Sequence, residues 1–171
     1  MPKARLPAAL KRSVARCANN RCEYCQTPEN ISPSAFHVEH IVPESQGGPT
    51  VLENLAWSCG GCNDHKYNKT EGPDPETGQG VALFNPRTQA WNEHFAWSED
   101  FLWVVGQTPA GRATIEVCQI NCDNLVRLRR LLRPQAKTRR RKPRLPRHHS
   151  RLTYLMGMKN IRAVGSMMVL L

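Results

Sequence analysis

Four cysteines in two Cys-x-x-Cys pairs, Cys22/Cys25 and Cys59/Cys62, bracket a stretch that carries Glu39, His40, Asn54 and Asn63. Each pair presents two thiolates from one tight turn, and two such turns complete a tetrahedron for which zinc is the natural occupant. A disulfide framework is the competing reading. The same spacing twice over, in a chain with no secretory signal, fits a reducing compartment better, and a cytoplasmic location is expected. Four thiolates also close the coordination sphere, so this zinc holds the fold and offers no position to water or substrate. Chemistry has to come from the residues between the pairs.

There, Glu39 and His40 lie in an apolar run with Val38, Ile41 and Val42 that reads as a strand ended by Pro43. Neighbouring strand residues point to opposite faces, so the two act at one place only if the strand ends or bends, which Pro43 and the turn Glu44-Ser-Gln-Gly-Gly48 provide. After Cys62, residues 63–69 have helix-compatible composition, with Asn63 and Lys66 on one face. His37 lies two residues before Glu39 on the same strand face and is a further candidate ligand. Asp64 and His65 read as solvated helix residues, and Leu52, Leu55 and Trp57 as core.

Over residues 22–66 this pattern resembles the HNH endonuclease family in its four-cysteine branch. The resemblance implies an α+β fold, with a small ββα-metal (His-Me finger) core and a structural zinc on Cys22, Cys25, Cys59 and Cys62. It further implies that His40 is the general base that activates a water, and that Glu39 and Asn63 hold a catalytic divalent ion. Asn54 would orient the imidazole, and Lys66 would contact a phosphate. Many relatives have Asp where this chain has Glu39.

The physical logic agrees. A neutral imidazole, with an ordinary pKa of about 6.5, can take a proton from water near neutral pH. Charge developing on the phosphorane and on the departing 3′ oxygen needs a cation nearby, and oxygen ligands suit magnesium or manganese whereas thiolates suit zinc. The bland reading of any one residue, a Glu-His pair exposed at a strand end, is the commoner case; the joint constellation argues against it.

The rest of the chain must position or supply this stretch. Its 171 residues suit one domain plus extensions, and no apolar run is long enough to span a membrane. The formal charge of +10 points to a polyanionic partner, here DNA. That charge is uneven: residues 1–21 hold six basic residues and 124–171 hold 14, neither with an acid, whereas 22–123 set four basic residues against all 14 acidic ones. The basic ends, including Arg139, Arg140, Arg141 and Lys142 as phosphate contacts, are therefore expected to supply most of the nonspecific attraction.

In order, residues 1–21 read as a basic N-terminal helix with Leu10, Val14 and Cys17 on one stripe, a transit peptide being the alternative. Residues 22–70 form the core, and 71–80 a Pro/Gly linker. Residues 81–133 read as an extension packing on the core: an aromatic segment, a hairpin of strands near 101–105 and 112–117, and a helix from Asp123 to Arg133. His94 reads as a packing histidine, and Cys118 and Cys122 as structural thiols. Residues 134–171 read as a basic, disordered tail with an apolar end. The expected function is metal-dependent hydrolysis of DNA phosphodiesters. Two other classes compete: a zinc-stabilised module that binds nucleic acid without cutting it, and a zinc module that docks another protein.

Overall fold

Two short strands and the helix that follows them carry the site. Strand β1 (Phe36–His40) pairs antiparallel with β2 (Leu55–Cys59), in a register that sets Phe36 opposite Cys59, Glu39 opposite Ala56 and His40 opposite Leu55. A computed structural model describes residues 6–133 of the chain. All five residues of β2 are buried, because α1 (Ala8–Cys17) and α2 (Gly60–Lys66) both pack against it. The sequence Leu-Ala-Trp-Ser-Cys suits such a strand, since only its hydroxyl and thiol are polar. Gly60 begins α2 directly after Cys59, so the second cysteine pair straddles the strand-to-helix corner and fixes the angle at which α2 leaves the sheet.

The mixture of helices and small antiparallel sheets is the expected α+β class. Val14 anchors α1 in the core beside Tyr24, Leu55, Trp57 and the four cysteines, and the Lys11 ammonium lies 5.5 Å over the Trp57 ring. Cys17 corrects the stripe expected for this helix. It is exposed, and Ala18, one residue on, takes the buried place.

Residues 71–80 also differ from expectation. They are not a linker: β3 (Glu71–Pro73) and β4 (Gly80–Ala82) form an antiparallel hairpin. Its Pro and Gly residues are turn chemistry, with Gly78 at φ +72° and its N–H donating to the Asp74 carbonyl at 2.7 Å. The fully buried Asp74 carboxylate accepts from Arg112 Nε and Nη2 at 2.7 and 2.8 Å and from the Thr77 hydroxyl at 3.0 Å. Composition suggested a spacer; the ion pair makes the segment part of the fold.

The extension is built on aromatic packing. Helix α3 (Trp91–His94) leads into β5 (Phe95–Trp97), which pairs with β6 (Val104–Gly106); Phe84 meets Phe95 edge-on at 5.1 Å, Phe95 stacks on Trp91 at 5.1 Å, and Trp91 lies tilted against Trp97 at 5.7 Å. The second strand expected near 112–117 is instead part of helix α4 (Pro109–Cys118). Apolar alternation there was outweighed by a capping signal: the Thr108 side chain accepts from Gly111 N–H at 3.1 Å, and Pro109 occupies the first turn. His94 packs as expected, with Nδ1 2.7 Å from the Thr108 hydroxyl. Helix α5 (Asp123–Leu132) closes the described chain, with Cys118 buried before it and Cys122 at its N-cap.

Arg87 ties extension to core. Its guanidinium forms a fork with Glu23, between the first two cysteines, at 2.6 and 2.7 Å, and its Nε donates to the Leu55 carbonyl at 2.7 Å. Trp91 Nε1 donates to the Tyr24 carbonyl at 3.0 Å. The loop carrying Cys22 and Cys25 is thereby tied to the extension.

Candidate active site

The thiols of Cys22, Cys25, Cys59 and Cys62 are all buried and lie within 4.8 Å of one another. Four sulfurs about 2.3 Å from one tetrahedral zinc would stand about 3.8 Å apart. The Cys25 and Cys59 sulfurs are 3.7 Å apart, so the donor set and its size fit that ion. It is the metal-type cluster of His, Cys and acidic side chains among the described residues.

From this corner Asn63 follows Cys62 into α2 and meets the end of β1. Glu39, His40, Glu44, Asn63 and Asp64 line one open cleft of about 700 Å³, with Val38, Tyr67 and Asn68 completing the wall. Glu39 and His40 therefore share a site although they are strand neighbours, because the strand ends at His40 and the chain turns at Pro43. His37 is exposed and is not part of the cleft lining, which sets it apart from the other candidate ligands.

Asn54 acts on the turn. Its Oδ1 accepts from Val42 N–H, and its Nδ2 donates to the carbonyls of Val42 and Pro49, each at 2.9 Å. Both amide hydrogens are used in a brace across the loop between β1 and β2, which follows the His40 strand end. The loop is tight: a Cβ on Gly48 would meet the Val42 carbonyl oxygen at 1.8 Å.

What the brace delivers to the imidazole is Thr50. Its Oγ1 lies 2.9 Å from His40 Nε2 and donates to Glu44 Oε1 at 3.0 Å, while Nε2 is itself 3.7 Å from that carboxylate. With the Thr50 hydroxyl proton directed at Glu44, Oγ1 is placed to accept from Nε2–H, the tautomer that would leave the basic lone pair of a neutral ring on Nδ1. Neither Thr50 nor Glu44 was singled out from sequence; the spacing of Glu44 four residues after His40 is the one local signal for it.

Lys66, expected to reach a phosphate, is buried, with 1% of its surface exposed. Its ammonium lies 2.5 Å from Glu39 Oε1 and donates to the carbonyls of Ile41 and His40 at 3.1 and 3.4 Å. The burial follows from Asn63 and Lys66 sharing a face of α2, the face laid against β1. Glu39 Oε2 accepts from the Tyr24 hydroxyl at 2.5 Å, whereas Oε1 meets the ammonium without an aligned hydrogen bond. Burial raises the Glu39 carboxyl above its ordinary range; the charge of Lys66 and its hydrogen bond, with that of Tyr24, act the other way. The Tyr24 phenol is itself held well above its usual value, by burial and then by the Glu39 charge.

The Glu39 carboxylate, already paired with Lys66, shares the cleft wall with the Asn63 amide and the Glu44 and Asp64 carboxylates, hard oxygen donors of the kind that suit a divalent ion such as magnesium or manganese. Arg139 to Lys142 lie outside the described residues. No helix among the described residues is long and apolar enough to cross a membrane.

Residues 22–69 match the sequence model of the HNH endonuclease family. Over 126 residues the chain is 26% identical to the Septu protein PtuB of Bacillus thuringiensis, a match covering 72% of this chain and 46% of that protein. The chain thus spans about half the length of that curated relative. No solved structure matches the chain.

Proposed function

We propose, from the match of residues 22–69 to the HNH endonuclease family model, that the protein is a metal-dependent endonuclease that hydrolyses DNA phosphodiester bonds. The observation that carries this reading is the convergence of His40, Glu39 and Asn63 on one cleft, at the corner fixed by the four cysteines.

In this reading His40 Nδ1 takes the proton of a water as its oxygen attacks phosphorus, and the 3′ oxygen leaves. Thr50, itself bonded to Glu44, orients the ring for that role. Glu39 and Asn63 would hold the divalent ion, which supplies positive charge to the phosphate oxygens and the leaving group. Cys22, Cys25, Cys59 and Cys62 would hold a structural zinc, which would fix β2 and α2 at the corner from which Asn63 meets β1. The segment 22–123 carries a formal −10, so long-range attraction to DNA falls to the basic residues of 1–21 and 124–171.

The test is plasmid cleavage by wild type and His40→Ala with magnesium or manganese. Metal-dependent nicking by wild type, lost in His40→Ala while zinc content and folding persist, supports the reading. One observation favours the competing reading of a module that binds nucleic acid without cutting it: Lys66 already neutralises Glu39. DNA binding by wild type without cleavage under either ion would decide for that module.

A further inference from the structure

Tyr67 stands where turn chemistry favours glycine. Its φ of 51° and ψ of −117° match the first central residue of a type II′ turn, a position in which a Cβ crowds the backbone. Lys69 N–H closes that turn on the Lys66 carbonyl at 3.0 Å. Two more bonds pin the segment: Tyr67 N–H to the Asn63 carbonyl at 2.9 Å, and Gln46 Nε2 to the Asn68 carbonyl at 2.7 Å. Strain of this kind persists where surrounding structure over-determines it, and it clusters at ligand-binding sites. The side chain so presented is 74% exposed, more than any other aromatic among the described residues. Neither its ring nor its hydroxyl has a hydrogen-bonding or stacking partner among them. It lines the same cleft as His40, Glu39 and Asn63.

A flat aromatic face beside a polar cleft suited to a cation and a phosphate matches a ligand that alternates π faces with phosphates. We propose that Tyr67 is a stacking platform for an unpaired nucleobase next to the phosphate handled in the cleft, so that the substrate class is DNA with single-stranded character. Bases within a duplex already have both faces stacked, so the ring reaches only a base that is unpaired or extruded. A protein partner would want a continuous apolar surface, which the carboxylates and amides around Tyr67 do not offer. This inference rests on reading the cleft as a phosphodiester site.

The experiment measures binding at fixed salt in a His40→Ala background, so that bound DNA stays intact. The probes are a single strand of about 12 nucleotides, near the middle of known single-strand site sizes, carrying 2-aminopurine, and the same sequence as a duplex. Adding Tyr67→Ala is expected to weaken single-strand binding roughly five- to a hundred-fold and to abolish the 2-aminopurine quench, with duplex affinity unchanged. Tyr67→Phe is expected to retain both. Tyr67→Gly, which suits the turn, is expected to raise Tm while losing single-strand affinity. Unchanged single-strand affinity in Tyr67→Ala, or an equal loss on duplex, overturns the proposal. Failure of the two readings is separable. Wild type that cuts no DNA but shows the selective loss keeps the stacking site and loses the nuclease; wild type that cuts normally with no selective loss does the reverse.

Discussion

The ammonium of Lys66 and the carboxylate of Glu39 form a buried ion pair across α2 and β1, 2.5 Å apart and 1% and 3% exposed. Breaking such a pair from one side leaves an uncompensated charge in the interior, which costs about 3–5 kcal/mol. Lys66→Met is therefore expected to lower unfolding free energy by that amount in urea titrations. A Lys66 that served only as a phosphate contact would instead leave stability unchanged and weaken DNA binding.

In the proposed reading Thr50 is a positioning residue, since its hydroxyl meets His40. Thr50→Val keeps the shape but removes the hydroxyl that accepts from Nε2 at 2.9 Å. Groups that orient a functional imidazole typically matter by about 10- to 100-fold. The expected result is a fall of that size in kcat with KM little changed, and recovery in Thr50→Ser. A Thr50→Ser protein as impaired as Thr50→Val would show that packing of the methyl group, and not the hydrogen bond, is what matters.

Metal removal should unfold the domain. Structural zinc contributes about 10–16 kcal/mol in small zinc-binding peptides, against a typical domain stability of about 5–15 kcal/mol. One zinc per chain is expected by elemental analysis, with collapse of the circular dichroism signal on chelation and in Cys59→Ser. A chelated protein that keeps its spectrum and thermal transition would remove zinc from the account of the fold.

The Asp74 and Arg112 pair gives stability a pH dependence of known sign. Hydrogen bonds from Arg112, ahead of those from Thr77 and the Glu76 N–H, hold the Asp74 carboxyl well below its usual range despite the cost of burial. A depressed carboxyl binds fewer protons folded than unfolded, so its contribution is present above the ordinary carboxylate pKa of about 4 and drains away as pH falls below it. Asp74→Asn is expected to lower Tm at pH 7 and to flatten the loss of Tm between neutral pH and about pH 2. An acid limb as steep in the variant as in wild type would assign that limb to other groups.

Legibility in the sequence followed the range over which each feature is determined. The cysteine cluster was readable because two thiolates from one tight turn are placed by local covalent geometry. The end of β1 was readable because Pro43 lies three residues after His40. The errors had physical causes of two kinds. At 71–80, Pro and Gly suit a spacer by composition but serve equally as the corner of a hairpin that Arg112, far along the chain, clamps shut. At 109–118, a strand-like alternation competed with a Thr-Pro helix start, and the cap prevailed.

By itself, the sequence determined the chemical inventory: four thiols spaced for a metal, and an acid, an imidazole and an amide oxygen within the stretch that matches the HNH family model. Tertiary structure alone decided which groups meet. It turned Lys66 inward onto Glu39, spent Asn54 on the loop, brought Thr50 to the imidazole and set Tyr67 at the cleft mouth. Spacing along the chain fixes neighbours within a turn or two of backbone. Contacts between α2, β1 and the loop at 41–54 depend on the angle at which the metal corner sets the helix against the hairpin, and that angle exists only once the core has packed.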